Sequence, residues 1–341
     1  MKGSVLALGE NAGRQVAALM VDGRLQELAL EVEGYGPGAI LRGRLGRPMK
    51  GLGGAFVDLP DGATGFLRDT KGLAPGAPVL VQVAGLAEAG KALPLTRRLM
   101  VKGRFVILTP DAPGLNISRQ IRDEGVRAGL AALAAEGMAG AAEDLGLILR
   151  SACEGAEAED VAGELADLRA LAEAILADAA GPPEALLDAP APAELAWRDW
   201  PAPDHVAEDG LEATGALDAI AALLRPEVRL ADGASMLIEP TRALVAVDVN
   251  TGPDTSPAAG LKANIAALRD LPRQLRLRGL GGQVVIDLAP FPKRERHILD
   301  QALAKSVRPE GEAITLAGWT PLGNYELTRR RDRPGLAGWW R

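Results

Sequence analysis

Two apolar runs decide how this chain reads: Ala243–Val249 (ALVAVDV) and Gln283–Leu288 (QVVIDL). The first is bounded by Pro240 and Asn250-Thr251-Gly252, the second by Gly281-Gly282 and Pro290. Short continuous runs between turn residues suit strands buried on both faces, with a helix covering one face between them. The intervening Ala258–Gly279 (AAGLKANIAALRDLPRQLRLRG) sets Leu261, Ile265, Leu268 and Leu275 at helical spacing. A kink is expected at Pro272 and a stop at Gly279. Each strand delivers one carboxylate at its carboxyl end, Asp248 and Asp287. If the strands are parallel neighbours, both ends open on one rim, where open α/β sheets bind ligands. Two converging carboxylates repel unless a cation lies between them, and oxygen-only ligation is what Mg²⁺ uses on phosphates. The competing reading is two unrelated turn-capping residues, and Asx-turn chemistry accounts for Asp248 alone.

Working outward, the 341 residues leave room for two or three domains, and 48% hydrophobic content supports real cores. Only 3% of residues are aromatic, while alanine and glycine are abundant, which points to close backbone packing. No apolar run reaches membrane-spanning length, and Met1–Gly9 lacks a secretory signal's apolar core, so no membrane partner and a cytoplasmic location are expected. The single cysteine, Cys153, excludes an intrachain disulfide and any multi-cysteine zinc site.

The net charge of −7 conceals a division. Ala39–Arg119 holds 12 basic and 5 acidic residues, Arg269–Arg341 holds 14 and 8, and Gln120–Asp188 holds 4 and 15. Two basic regions beside an acidic one suit surfaces that meet a polyanion, although each could be a plain solvated face. Within the first basic region, Ala39–Gly46, Ala55–Leu59, Gly65–Leu67, Val79–Ala84 and Leu93–Leu99 are short strand-like runs with glycine turns. Five such strands suit a small OB-type barrel. Arg42, Arg44, Arg47 and Lys50 could track phosphates there or merely solvate an edge. Asp160–Ala180 is an amphipathic helix, and the Pro/Ala/Asp-rich 181–210 marks a boundary or return segment.

Three motifs in order, Asp248-Val249-Asn250-Thr251-Gly252, then Arg273-Gln274-Leu275-Arg276-Leu277-Arg278-Gly279-Leu280-Gly281-Gly282, then Ile286-Asp287, resemble the catalytic core of the ribonuclease E/G family. The resemblance implies a mixed α/β, multidomain fold. Residues 1–37 and 183–229 would form an RNase H-like scaffold, the second part shortened. Residues 38–103 would be an OB-type, S-one-like RNA-binding barrel, 104–182 a 5′-end sensor region, and 230–341 a DNase I-like catalytic subdomain. It further implies that Asp248 and Asp287 bind Mg²⁺, that Asn250 supports the attacking water, and that this metal-activated water cleaves a phosphodiester of single-stranded RNA. Phe56 and Phe66 match the barrel's base-stacking aromatics, and Lys91 a basic RNA contact. Base stacking of this kind is worth roughly 1–3 kcal/mol. One of the two rings could instead be core, Phe56 more readily than Phe66. Ser118-Arg119-Gln120-Ile121 matches another family motif, and Arg150-Ser151 a pocket for the 5′-monophosphate, with Ser in place of the family's Thr. Gly323–Arg331 resembles a motif in which Arg329 and Arg331 touch phosphate and Glu326 orients the ligands, with Asn324 in place of a Leu.

The resemblance covers nearly the whole chain and departs from it in three places. The cysteines of the family's zinc link between protomers are absent, so no zinc-linked dimer is expected, while other homo-oligomers stay open. Ala266 and Pro290 stand where acidic residues are common, which thins the groups that orient the metal ligands and predicts weak metal binding. The expected function is an Mg²⁺-dependent endoribonuclease of RNA processing and decay. The alternative is an RNA-binding protein of the same family with little or no activity. A phosphatase or nucleotide-binding protein would leave the barrel unexplained.

Overall fold

The computed structural model describes residues 2–49, 51–88, 90–254 and 256–340, so Lys50 and Thr255 lie outside the described residues. The chain forms two compact units, Met1–Glu31 with Pro203–Arg341, and Val32–Ala202. It begins with a meander of β1 (Ser4–Asn11), β2 (Arg14–Val21) and β3 (Arg24–Leu30). Its two-residue turns, Ala12-Gly13 and Asp22-Gly23, all have positive φ. That is the turn geometry whose twist matches paired antiparallel strands.

The second unit opens with β4 (Ile40–Met49), β5 (Gly54–Asp58), β6 (Thr64–Leu67), β7 (Pro78–Val83) and β8 (Leu93–Thr96). Their order is β4-β5-β6-β8-β7, and pairing of β7 with β4 closes the sheet into a five-stranded barrel, consistent with the OB type. Leu41, Leu45, Val57, Leu67 and Val81 fill its interior. Next come β9 (Val101–Lys102), β10 (Val106–Thr109), β11 (Leu115–Ile117), α1 (Glu124–Gly137), β12 (Gly146–Leu149) and α2 (Ala158–Ala177). The strands form a sheet in the order β11-β12-β10-β9, with Leu130 of α1 and Val161, Leu165 and Ile175 of α2 in its core. Asp123 caps α1 by accepting from the Val126 amide at 2.9 Å.

β13 (Glu184–Leu187) then pairs antiparallel with β4, and α3 (Pro192–Asp199) follows. This differs from the expected boundary at 183, since the chain stays in the barrel-bearing unit to Ala202. One tie is Arg42, only 2% exposed, whose guanidinium binds the Pro182 carbonyl at 2.7 Å, the Asp178 carbonyl at 2.6 Å, and the Glu184 carboxylate. Arg42 thus neither tracks phosphate nor solvates an edge.

The chain returns as β14 (His205–Ala207), parallel to β1, and α4 (Ala216–Leu223), which covers the meander with Ile220 and Leu223. The rest is β15 (Glu227–Arg229), β16 (Ser235–Pro240), β17 (Val245–Asn250), α5 (Pro257–Leu277), β18 (Gly282–Asp287), α6 (Arg296–Val307), β19 (Ile314–Trp319), β20 (Tyr325–Arg329) and α7 (Leu336–Trp339). These strands build a six-stranded sheet, β15-β16-β17-β18-β20-β19, in which β17 and β18 form the parallel pair.

Two expectations change here. The sheet is buried on one face: Val245, Val247 and Val249 of β17 and Val284 and Ile286 of β18 join α5 and α6, while Asp248, Asn250, Gln283 and Asp287 are exposed. The runs look continuous because Ala246 and Val285 fill partly exposed positions between buried ones. Helix α5 also runs through Pro272 as one element. Proline removes the donor that would reach the Leu268 carbonyl. The Ser306 hydroxyl of α6 lies 2.8 Å from that oxygen and supplies a replacement.

Candidate active site

The parallel pairing sets Asp248 directly beside Asp287. Neighbouring strands lie about 4.8 Å apart, so the two carboxylates stand side by side on the open face. Asn250, two residues on and on the same face, donates from Nδ2 to Asp248 Oδ2 at 2.8 Å. One row along, the register aligns Glu239, Ala246, Val285 and Glu326. Glu326 therefore shares the carboxylate-bearing face but pairs opposite Val285 rather than Asp287. Among the described residues no three acidic, histidine or cysteine side chains converge into a metal-binding group. Cys153 is buried, and burial pushes its thiol up to about 11.

What fixes these carboxylates is backbone packing behind them. Gly252 has φ +72, and a Cβ there would come within 2.3 Å of the Gly233 carbonyl oxygen, so the turn after Asn250 needs glycine on two counts. A Cβ at Gly260 would meet the Pro290 carbonyl at 2.1 Å, so α5 presses directly on the loop that follows Asp287. Asn264, fully buried in α5, clamps that loop by donating to the Ala289 carbonyl and accepting from the Ala289 amide, both at 2.9 Å. The sequence reading passed over Asn264. Its signal was an uncharged polar residue among the apolar positions of α5. Asn264→Ala would strand a buried donor and acceptor, and a loss of about 2–4 kcal/mol in urea unfolding is expected. A loss below about 0.5 kcal/mol would show that the clamp is dispensable.

The arginines of the central motif are structural. Arg273 makes a two-point bond to Asp270 (2.7 and 3.0 Å) and reaches the Leu25 carbonyl at 2.6 Å. Arg276 binds the Gln26 carbonyl at 3.0 Å and the carboxylates of Glu27 and Glu310. Arg278 holds the Leu223 and Arg225 carbonyls, the latter at 2.7 Å. They tie α5 to β3 and to the end of α4. Burial pulls the Arg278 guanidinium down to about 10, against the upward pull of Asp270. Burial pushes the Asp270 carboxyl up, but hydrogen bonds from Arg273 and Gln274 overcome it and leave the group below the ordinary carboxylate range.

Arg329, expected on phosphate, is 3% exposed and bonded to the Leu280 carbonyl and to Asp332, each at 3.0 Å. It serves the fold instead. Arg331 is exposed and lies over Gly282, where a Cβ would meet its guanidinium.

In the other unit, Phe56 and Phe66 are cross-strand partners on the barrel, their rings edge-to-face at 5.4 Å. Phe56 is 37% exposed and Phe66 half-buried, so Phe56 is not the core ring of the pair. Lys91 is exposed and paired with Glu88 at 2.8 Å, and Arg119 is exposed. Arg150 donates to the Gly103 carbonyl (2.6 Å), the Arg198 carbonyl (3.0 Å) and Asp199 (2.8 Å), and Ser151 beside it is exposed. Burial raises the Asp199 carboxyl, but Arg198, Lys102 and Arg150 outweigh it and hold the group below its usual range.

Comparison with known proteins agrees with this layout. The model of the "Ribonuclease E/G family" matches residues 100–208 and 205–332. Ribonuclease E of Nostoc sp. is 28% identical over 93% of this chain and 54% of its own length. Ribonuclease E of Escherichia coli strain K12 is 28% identical over 94% of this chain and 36% of its own. Ribonuclease G of Salmonella typhimurium is 28% identical over 92% of this chain and 77% of its own. The chain thus spans about half the length of the first of these relatives. With its motifs standing in order on the parallel strands and the connecting helix, and the family model covering well over half of its length, the chain belongs to the ribonuclease E/G family.

Proposed function

We infer that the chain is an Mg²⁺-dependent endoribonuclease that cleaves single-stranded RNA in cytoplasmic RNA processing and decay. The observation that carries this is the register of Asp248 beside Asp287 on the open face of the parallel strand pair. Two exposed carboxylates with an amide bonded to one of them are a donor set that fits Mg²⁺, which takes one or two carboxylates and keeps room for water and phosphate oxygens. Asp248 and Asp287 would hold the ion, whose charge, when bound, lowers the pKa of water and offsets charge on the phosphate. Asn250 spends Nδ2 on Asp248, fixing that carboxylate's orientation, and keeps Oδ1 to accept from the attacking water. Asn264 holds the Asp287 loop from behind.

The barrel contributes stacking area at Phe56 and Phe66 and charge at Lys91 and Arg119, and Arg331 adds charge in the carboxylate-bearing unit. For Arg150 and Ser151 to receive a 5′-phosphate, the phosphate must take the place of Asp199 on the Arg150 guanidinium. A family member that binds RNA without cutting it is the second reading, favoured by Ala266 and Pro290 where acidic residues would orient the metal ligands.

The test is incubation with a 5′-monophosphorylated, AU-rich single-stranded oligonucleotide with Mg²⁺ or with EDTA. Internal cuts that require Mg²⁺ are expected. Tight binding without cuts at any Mg²⁺ concentration would leave the second reading.

A further inference from the structure

Four residues beyond Asp287, the loop reaches an aromatic cluster that the proposed chemistry does not use. Phe291 lies 5.8 Å from Trp319, and Trp319 meets Tyr325 edge-to-face at 5.1 Å. Trp319 pairs with Tyr325 and Tyr325 with Ile286, so the cluster lies at the same end of the sheet as Asp287. The Arg296 guanidinium stacks 4.5 Å over the Trp319 ring. It also lies against the β19–β20 turn, where its Nη2 is 3.8 Å from the position a Cβ would take on Gly323. At the tip of that turn Leu322 is 93% exposed.

Arg296 lacks the anion such a position calls for. Asp300, one helical turn along α6 and the natural ion-pair partner, accepts from Trp319 Nε1 at 2.8 Å. Arg296 Nε is buried with no hydrogen-bond partner, and no ion pair to Arg296 exists among the described residues. Lys293 and Arg294, both exposed, stand three and two residues before it, with Glu295 between. The first turn of α6 has no acidic residue, although cations are disfavoured at a helix start. The one acidic residue at this helix start, Glu295, occupies the N-cap position and forms no ion pair with Arg296 among the described residues. A half-buried guanidinium, held over the Trp319 ring and short of acceptors, suits the two-point geometry of a phosphate.

We propose that Arg296, held on Trp319, is a substrate-positioning residue that binds a backbone phosphate of the RNA strand near the one being cleaved. This rests on reading the chain as an RNA-cleaving protein. Leu322 and the exposed side of the turn give the adjoining nucleotide an apolar surface.

The test uses the full chain and an AU-rich 12-nucleotide single strand in EDTA, where the metal-dependent cut cannot proceed and binding is read alone. Affinity is measured by fluorescence anisotropy from 50 to 200 mM KCl for wild type, Arg296→Gln and Arg296→Lys. Each phosphate contact to a single strand adds about 0.7 to the slope of log affinity against log salt. Arg296→Gln is expected to bind more weakly with a slope shallower by about 0.7, so its deficit shrinks roughly two- to three-fold across that range. Arg296→Lys is expected to restore the slope but not the full affinity. In cleavage of the same strand with Mg²⁺, Arg296→Gln should raise KM more than it lowers kcat. An unchanged slope with a lowered melting temperature would overturn the proposal and leave Arg296 as a structural cap on Trp319. Failure of the wild type itself to bind RNA would overturn the functional reading along with it.

Discussion

Asp248→Asn is expected to abolish RNA cleavage, with a rate loss on the order of a thousandfold and little change in folding. The side chain is exposed and contributes no packing to the core behind it, so removal of its charge costs the fold almost nothing. What it costs is chemistry. Metal-mediated charge stabilisation is worth several kcal/mol, and each ~1.4 kcal/mol is tenfold in rate. The amide also replaces an acceptor with a donor facing Asn250 Nδ2, so the orienting 2.8 Å bond becomes a clash of donors unless one amide turns over. A complementary variant separates a metal ligand from a residue that merely shapes the face. Asp248→Cys should be inactive with Mg²⁺, which prefers oxygen, and partly rescued by the softer Mn²⁺ or Cd²⁺. Wild-type rates in Asp248→Asn, measured on the same oligonucleotide, would remove Asp248 from the mechanism. Inactivity of Asp248→Cys with every metal would leave it a positioning role.

The centre of this site was legible in the sequence because a parallel strand pair is a local signal. Two apolar runs, a helix of sufficient length and glycine stops are all written in adjacent residues, and the family motif points to Asp248 and Asp287 as the acidic residues to test. The barrel was equally readable from five short runs with glycine turns, and its observed strands fall close to the expected ones. The orientation of charge was not readable. A count of basic residues treats every arginine as surface, yet Arg42, Arg273, Arg276, Arg278 and Arg329 all point into backbone carbonyls. In a chain this rich in glycine and alanine, segments approach closely and leave carbonyl oxygens exposed between elements. The forked guanidinium satisfies several of them at once, which lysine cannot do. Part of the basic balance of residues 269–341 is therefore internal reinforcement, while Arg269, Lys293, Arg294, Lys305 and Arg308 stand exposed. β16 and β20 were missed as strands for a related reason. Each has one face of polar or partly exposed residues, Ser235, Leu237 and Glu239 in one and Glu326 and Thr328 in the other, which dilutes the apolar signal to alternate positions.

The largest stability effect expected in the barrel-bearing unit is at Arg42. Its guanidinium makes four bonds to the segment after α2: to the Asp178 carbonyl and carboxylate, the Pro182 carbonyl and the Glu184 carboxylate. Those bonds seat β13 on β4, where Glu184 stands opposite Arg42 in register. Gly181 belongs to the same device, since its φ is +145 and a Cβ there would lie 2.9 Å from Arg42 Cζ. Arg42→Ala removes the cation while leaving the carbonyls enclosed, and breaking a buried ionic cluster from one side costs about 3–5 kcal/mol. The two carboxylates regain part of this through solvent, because both are more than half exposed, so the lower end of that range applies. With ~2–4 °C per kcal/mol for a unit of this size, calorimetry should show the melting transition of Val32–Ala202 lowered by on the order of 10 °C. Arg42→Lys should recover little of it, because a single ammonium cannot span both carbonyls and both carboxylates. The same variants decide the role that charge counting alone would have assigned. If Arg42 tracked phosphate, Arg42→Ala would melt like wild type and bind RNA with a shallower salt dependence. As a clamp, it should melt early and, well below that transition, keep the wild-type salt slope unchanged.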